Sequence, residues 1–169
     1  MAATVTVQQL TGPGPTATNV TASPLLLGTG DSYNAGATYG VKIPASGTNY
    51  SYETTLRVNA SGTFTSLSAW KLYSDGANGL GTGFGIAVKA IAQGSYAQAT
   101  GTQGQTASQM SGGSDLFGYT SGSPLSLTGS ISSAGVGSVQ YVVAQGSVAS
   151  TASPGTSATE NATLQWDEA

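Results

Sequence analysis

Apolar residues in this chain recur at every second position, in strand-length runs cut short by glycine and proline. The apolar spacing of Phe84–Gln93 also fits a helix, but ten residues flanked by glycine favour a strand, and no segment makes a convincing amphipathic helix. Successive side chains of a strand point to opposite faces, so each run offers one face to a core and the other to solvent or a neighbour. The runs are Thr4–Leu10, Tyr50–Val58, Phe64–Tyr73, Phe84–Gln93, Ser123–Ile131 and two more within Ser138–Ala169. Pro24–Leu27 adds a short apolar stretch, and Asp115–Tyr119 adds apolar anchors. Turn signals every ~8–15 residues and about seven to nine short strands predict an all-β chain. The expected architecture is an antiparallel β-sandwich, immunoglobulin-like or jelly-roll. No fixed-period repeat is present, which disfavours solenoids and propellers.

Alternation assigns faces. In Tyr50–Val58, residues Tyr50, Tyr52, Thr54, Leu56 and Val58 share one face, and Ser51, Glu53, Thr55 and Arg57 the other. In Phe64–Tyr73, Leu67, Ala69, Lys71 and Tyr73 lie opposite Ser68, Trp70 and Leu72. Trp70 is expected in the core with Lys71 turned outward. Near the C-terminus Val139, Tyr141 and Val143 alternate with Gln140, Val142 and Ala144, and Ala162, Leu164 and Trp166 alternate with polar residues. The intervening Ser153-Pro154-Gly155 favours a turn. The two C-terminal runs are therefore read as a closing hairpin against which the rest packs. Trp70, Tyr141 and Trp166 are the expected core anchors of the protein.

Residues 17–169 are expected to form a single domain, preceded by a strand arm and a stiff Gly/Pro connector over residues 1–16. The strand Thr4–Leu10 pairs in its own sheet or reaches a neighbouring subunit's sheet edge. Thr4, Val5, Thr6, Val7 and Leu10 are the candidate subunit contacts. The low-complexity stretch Gly94–Gly113 is a second candidate contact element, as an exposed loop or extended edge. Asp31–Gly47 reads as turn-rich, with Tyr33, Tyr39, Val41 and Ile43 as possible anchors.

Composition narrows the chemistry. Histidine and cysteine are both absent, which removes the commonest general base, the thiol nucleophile and the best zinc ligands. Charged residues are 7% of the chain, far below the usual ~25%. The cations Lys42, Arg57, Lys71 and Lys89 are scattered, so neither a phosphate-tracking stripe nor a membrane-binding polybasic segment is present. Nucleic acid and membrane are not expected as partners. The first residues show no signal-peptide pattern, and no apolar run is long enough to span a bilayer.

Gly79-Leu80-Gly81-Thr82-Gly83 lacks the Gly-Lys-Ser/Thr ending and the following helix of a phosphate-binding loop. Asp75-Gly76-Ala77-Asn78-Gly79 reads as a turn, since a calcium loop needs further oxygens at set spacing. Asp167 and Glu168 point to opposite faces, and with Glu160 they read as a solvated chain end. Asn19, Asn49, Asn59 and Asn161 match the glycosylation triplet, as expected by chance in a Ser/Thr-rich chain. No catalytic, cofactor-binding or metal-binding residue is expected, and no cofactor. The aromatic residues could line a saccharide-binding face, but their places in alternating strands point to core or interface.

Tyr141-Val142-Val143, then Ser150–Gly155, then Thr163–Glu168, resemble the closing hairpin of immunoglobulin-like virion proteins of tailed phages and archaeal viruses. Phe64–Gly76 is similar to a strand and turn of the same domains. The resemblance implies a non-enzymatic structural protein of the particle, a head decoration or auxiliary capsid protein. It implies the major capsid protein or other virion subunits as partners, homo-oligomers, and a place on the capsid surface after synthesis in the host cytoplasm. Two other classes fit the residues: a filament or surface-layer subunit joined by strand exchange, and a carbohydrate-binding or adhesion module.

Overall fold

The structure, a computed structural model, describes residues 2–99 and 108–169. Among these the chain forms ten strands and only single turns of 3₁₀ helix. The strands are β1 (Thr4–Thr11), β2 (Thr16–Asn19), β3 (Thr48–Tyr50), β4 (Thr54–Ser61), β5 (Leu67–Tyr73), β6 (Phe84–Ile91), β7 (Ser114–Asp115), β8 (Leu125–Leu127), β9 (Tyr141–Ala149) and β10 (Thr163–Glu168). Seven make one sheet in the order β2-β1-β4-β9-β6-β7, with β3 also on β9. The other three make a second sheet, β10-β5-β8. Every named pairing is antiparallel, and the two sheets form a β-sandwich.

The main core lies between the sheets. Val58, Ala60, Val88, Val142 and Ala144 from the large sheet meet Leu67, Trp70 and Leu127 from the small one, with Leu116, Ile131 and Val139 from the connections. A second apolar cluster gathers Leu10, Ile91, Met110, Tyr141 and Val143. Tyr141 and Val143 alternate along β9 with Val142 and Ala144, so this second cluster covers the opposite face of the large sheet. Burial on both faces explains why β9 is continuously apolar at its start.

The two C-terminal runs do not form a hairpin. Both edges of β9 are taken, by β3 and β4 on one side and β6 on the other. β10 crosses to the other sheet and pairs with β5. Residues 150–162 are the crossing between sheets. Val139 lies before β9 and joins the main core, so it does not share a face with Tyr141.

Face assignments also change at two one-residue insertions. Tyr50 stands opposite Ser147 and Thr54 opposite Ala144, so Ser51–Glu53 oppose only Gln145 and Gly146. That extra residue puts Tyr50 and Thr54 on opposite faces of the sheet. Side chains close the gap: the Ser51 hydroxyl accepts from Gly146 N–H at 2.9 Å, and Gln145 Nε2 donates to Ser51 O at 2.8 Å. In β5, Ser68 faces Asp167 and Lys71 faces Gln165, leaving Ala69 and Trp70 opposite Trp166. Ala69 takes the left-handed conformation at φ 53. Leu67 and Trp70, three apart, therefore both point inward and are fully buried.

The turn Gly12–Pro15 joins β1 to β2 as a hairpin, so residues 1–16 include a strand of the large sheet of this chain. Pro24–Leu27 forms no strand. It begins a loop that folds on itself through Gly36 N–H to Leu26 O and Thr29 N–H to Tyr39 O. Gly28 permits this closure, because a Cβ there would lie 2.5 Å from the backbone of Gly36 and Tyr39. Tyr52 N–H to Gly28 O, at 2.8 Å, ties the loop to the strand break. Ser123–Ile131 contributes only β8, and Ile131 reaches the core through a bridge to Leu67.

Candidate functional site

Three features of the folded chain have the means to engage something else. The first is the edge formed by β1. From Thr4 to Leu10 it pairs with β4 on one side. On the other side β2 covers Gln8–Thr11. Closure extends to Val7 through Val20 N–H to Val7 O at 2.8 Å and Val7 N–H to the Thr21 hydroxyl at 2.8 Å. Among the described residues no strand lies beside Thr4–Thr6 on that side. Ala3 N–H instead donates to the Glu168 carboxylate at 3.0 Å, which brings the chain end of the small sheet against the start of the large one. Thr4 is exposed, Val5, Thr6 and Val7 are half-buried, and Leu10, only 2% exposed, belongs to the second apolar cluster. Leu10 therefore serves this chain's own packing, and the first three or four residues of β1 hold the accessible edge.

The second feature is an apolar slot between the sheets. Val7 and Leu56 from the large sheet face Leu72, Leu127 and Leu164 from the small one across about 140 Å³ of unfilled space. The slot exists because three strands cannot cover seven. It is flanked by β10, whose outer edge has no strand beside it among the described residues. Leu164 and Trp166 turn inward from β10. Trp166 is half-buried and lies over the fully buried Trp70, ring centroids 5.6 Å apart and planes tilted by 30°. Tyr141 is buried in the cluster on the far face.

The third is a set of polar side chains under the loops. Alternation places Glu53 with Ser51, Thr55 and Arg57 on one of two faces, one for the core and one for solvent or an interface; in the structure it is 1% exposed. Its carboxylate accepts from Met110 N–H at 2.8 Å and from Gln109 Nε2 at 2.6 Å. Gln109 also bonds Ala97 N–H and C=O, so one carboxylate ties two loop segments to β4. Nearby, Asp31 Oδ2 accepts from Gly12 N–H at 3.0 Å and Gln98 Nε2 at 2.7 Å. The Tyr96 hydroxyl donates to Gly12 O at 2.7 Å, and its pKa is raised above 10.0 by burial and then by the Asp31 charge. Gln9 Nε2 donates to Ser32 O at 3.2 Å. Three oxygens here are buried without any hydrogen bond: Gln9 Oε1, Asp31 Oδ1 and Asn34 Oδ1. An unpaired buried acceptor costs about 1–3 kcal/mol. Alternation gave no hint of Glu53, and nothing in TVTVQQL marks Gln9 as buried. The Asp31–Asn34 turn residues were the one available signal.

The other motifs resolve as turns. Asp75 Oδ1 accepts from Ala77 N–H at 2.9 Å and Asn78 Oδ1 from Leu80 N–H at 3.1 Å, the self-bonding turns these residues favour. Among the described residues no three His, Cys, Asp or Glu side chains gather as metal ligands. Among the described residues the exposed large hydrophobic ones are Tyr33 and Tyr39, both on the loop after β2. Part of the Gly94–Gly113 candidate, residues 100–107, lies outside the described residues. The chain matches no family model, no curated protein and no solved structure.

Proposed function

We propose that the protein is a structural, non-enzymatic subunit of a virus particle, a capsid decoration or auxiliary protein that stabilises the shell through many repeated contacts. The observation that carries this reading is the apolar slot beside the edge of β10 that, among the described residues, no strand covers. It accepts one apolar side chain of a shell subunit, worth about 1.5–3 kcal/mol when fully buried. Such a contact is weak alone and strong when many copies engage together. A surface with so few charges opposes close packing little. The similarity of Phe64–Gly76 to a strand and turn of virion domains points the same way, whereas the likeness of the C-terminal strands to a closing hairpin gives no support, since β9 and β10 lie in different sheets.

The test is co-sedimentation of the purified protein with empty capsids, alongside light scattering and negative-stain microscopy. Wild type is expected as a discrete species that binds shells, and Leu164→Lys, on an edge strand, is expected to fold and lose binding. No binding by wild type, or equal binding by the variant, rejects the reading. Long fibres of isolated protein replace it with strand addition between copies. A carbohydrate-binding reading is favoured by one observation, the exposure of Tyr33 and Tyr39 on a single loop, at 41% and 52%. It requires saccharide binding that Tyr39→Ala abolishes.

A further inference from the structure

We infer that Gln9, Asp31 and Asn34 form a binding site for a hard metal cation, which fastens the loop after β2 to the end of β1. The three side chains present Oε1, Oδ1 and Oδ1, all buried and none hydrogen-bonded. Gln9 itself is 4% exposed. Its Nε2 donates to Ser32 O at 3.2 Å, which holds the amide against the turn between Asp31 and Asn34. Asn34 stands at the N-terminal cap of the 3₁₀ turn Ala35–Ala37, where an Asn oxygen ordinarily accepts a backbone N–H. Here it makes no capping bond and is held at φ 52.

The unmatched groups are all acceptors, and one belongs to a carboxylate whose two bonds come from neutral donors, Gly12 N–H and the Gln98 amide. One water donates only two hydrogen bonds and carries no charge. A cation at Asp31 Oδ1 balances the carboxylate charge, and the unbonded Gln9 and Asn34 oxygens belong to the residues that the Gln9–Ser32 bond brings beside it. Carboxylate and amide oxygens are the ligands calcium takes, with backbone carbonyls or water completing its shell. A single carboxylate places the site among the weak ones, with Kd of order 10⁻⁴–10⁻³ M.

The experiment uses the full chain, freed of metal by chelator and then titrated with CaCl₂, with NaCl and KCl at matched ionic strength. Thermal unfolding and calorimetry are the readouts. Wild type is expected to show a saturable 1:1 response and a rise in Tm. Asn34→Gly removes one ligand yet tolerates the positive φ, so it is expected to fold and to bind about tenfold more weakly or worse. Gln9→Glu is expected to be less stable than wild type in chelator and to recover when calcium is added, a signature a purely structural glutamine does not give. A saturable response to Na⁺ or K⁺ in place of Ca²⁺, lost in Asn34→Gly, assigns the same site to a monovalent ion. No saturable response to any of the three, or one unchanged in Asn34→Gly, overturns the proposal.

Discussion

Ala69 occupies the left-handed region at φ 53 because β5 must fit two residues, Ala69 and Trp70, opposite Trp166 alone. For an alanine this conformation costs about 1–2 kcal/mol, through Cβ against the following carbonyl. Glycine removes that cost and gives back about 0.5–1 kcal/mol in chain entropy. Ala69 is exposed, so its methyl contributes no packing. Ala69→Gly is therefore expected to stabilise the protein by about 0.5–1 kcal/mol, read as a higher urea midpoint at unchanged slope. Ala69→Val is expected to destabilise it, since a β-branched residue fits this conformation worse. A neutral or negative glycine variant would show that the bulge is not strained. This residue also marks where alternation failed. A glycine in a strand announces a bulge, whereas an alanine in SLSAWKLY carries no such sign, and counting by twos put Leu67 opposite Trp70. The same blindness hid Glu53: the added residue in Ser51–Glu53 is visible only in the register against β9.

At the scale of elements, most strands were legible because each carries its own period-two signal: β1, β5, β6 and β9 fall within one to three residues of the expected runs. Their partners were not, because pairing depends on which edges are already occupied. β10 illustrates the difference. As a strand it was readable from Leu164 and Trp166; as half of a hairpin it was misplaced, since β9 had no free edge. Its actual work is to lay Trp166 over Trp70 and close one side of the small sheet. Trp166→Ala removes that half-buried ring and an aromatic contact worth about 0.5–1.5 kcal/mol beyond area. With the lost burial, the expected cost is about 2–3 kcal/mol by chemical denaturation. Near-UV circular dichroism should weaken as Trp70 loses its neighbour. Thr163→Ala, exposed on the same strand, is the control and should change stability by less than about 0.5 kcal/mol. Equal effects of the two substitutions would mean that β10 is held by its backbone ladder and not by Trp166.

Across the whole molecule the two sheets are protected unequally. The large sheet has the main core on one face and the Leu10–Tyr141–Val143 cluster on the other, while among the described residues the small sheet has a core on one face only. Composition and periodicity could announce an all-β sandwich but not this second cover. It is made by irregular loops, which bring Met110 and meet the sheet at buried polar groups that patterning does not mark: Ser51 and Glu53 in the break before β4, and Gln145 of β9. Buried polar groups hold these loops through directional bonds, as in the Glu53 carboxylate on Met110 N–H and Gln109, and hydrophobic patterning cannot read such bonds. The asymmetry has a dynamic consequence. Amides in central strands covered on both sides exchange only through the largest openings, and edges exchange through small ones. Native-state hydrogen exchange should find the slowest amides in β4, β9 and the β9-facing side of β6. β8 and β10, at the edges of a sheet covered on one face, should exchange far sooner, and β2 and β7 sooner still. Glu53→Ala should lower protection at Met110 and Gly113 first, before β4 itself is affected, because it releases the loop without cutting a strand pairing. If β10 amides were protected as long as those of β9, the two sheets would open as one unit. The apolar slot between them would then be a rigid feature of the sandwich, and any contact made there would be with a preformed surface.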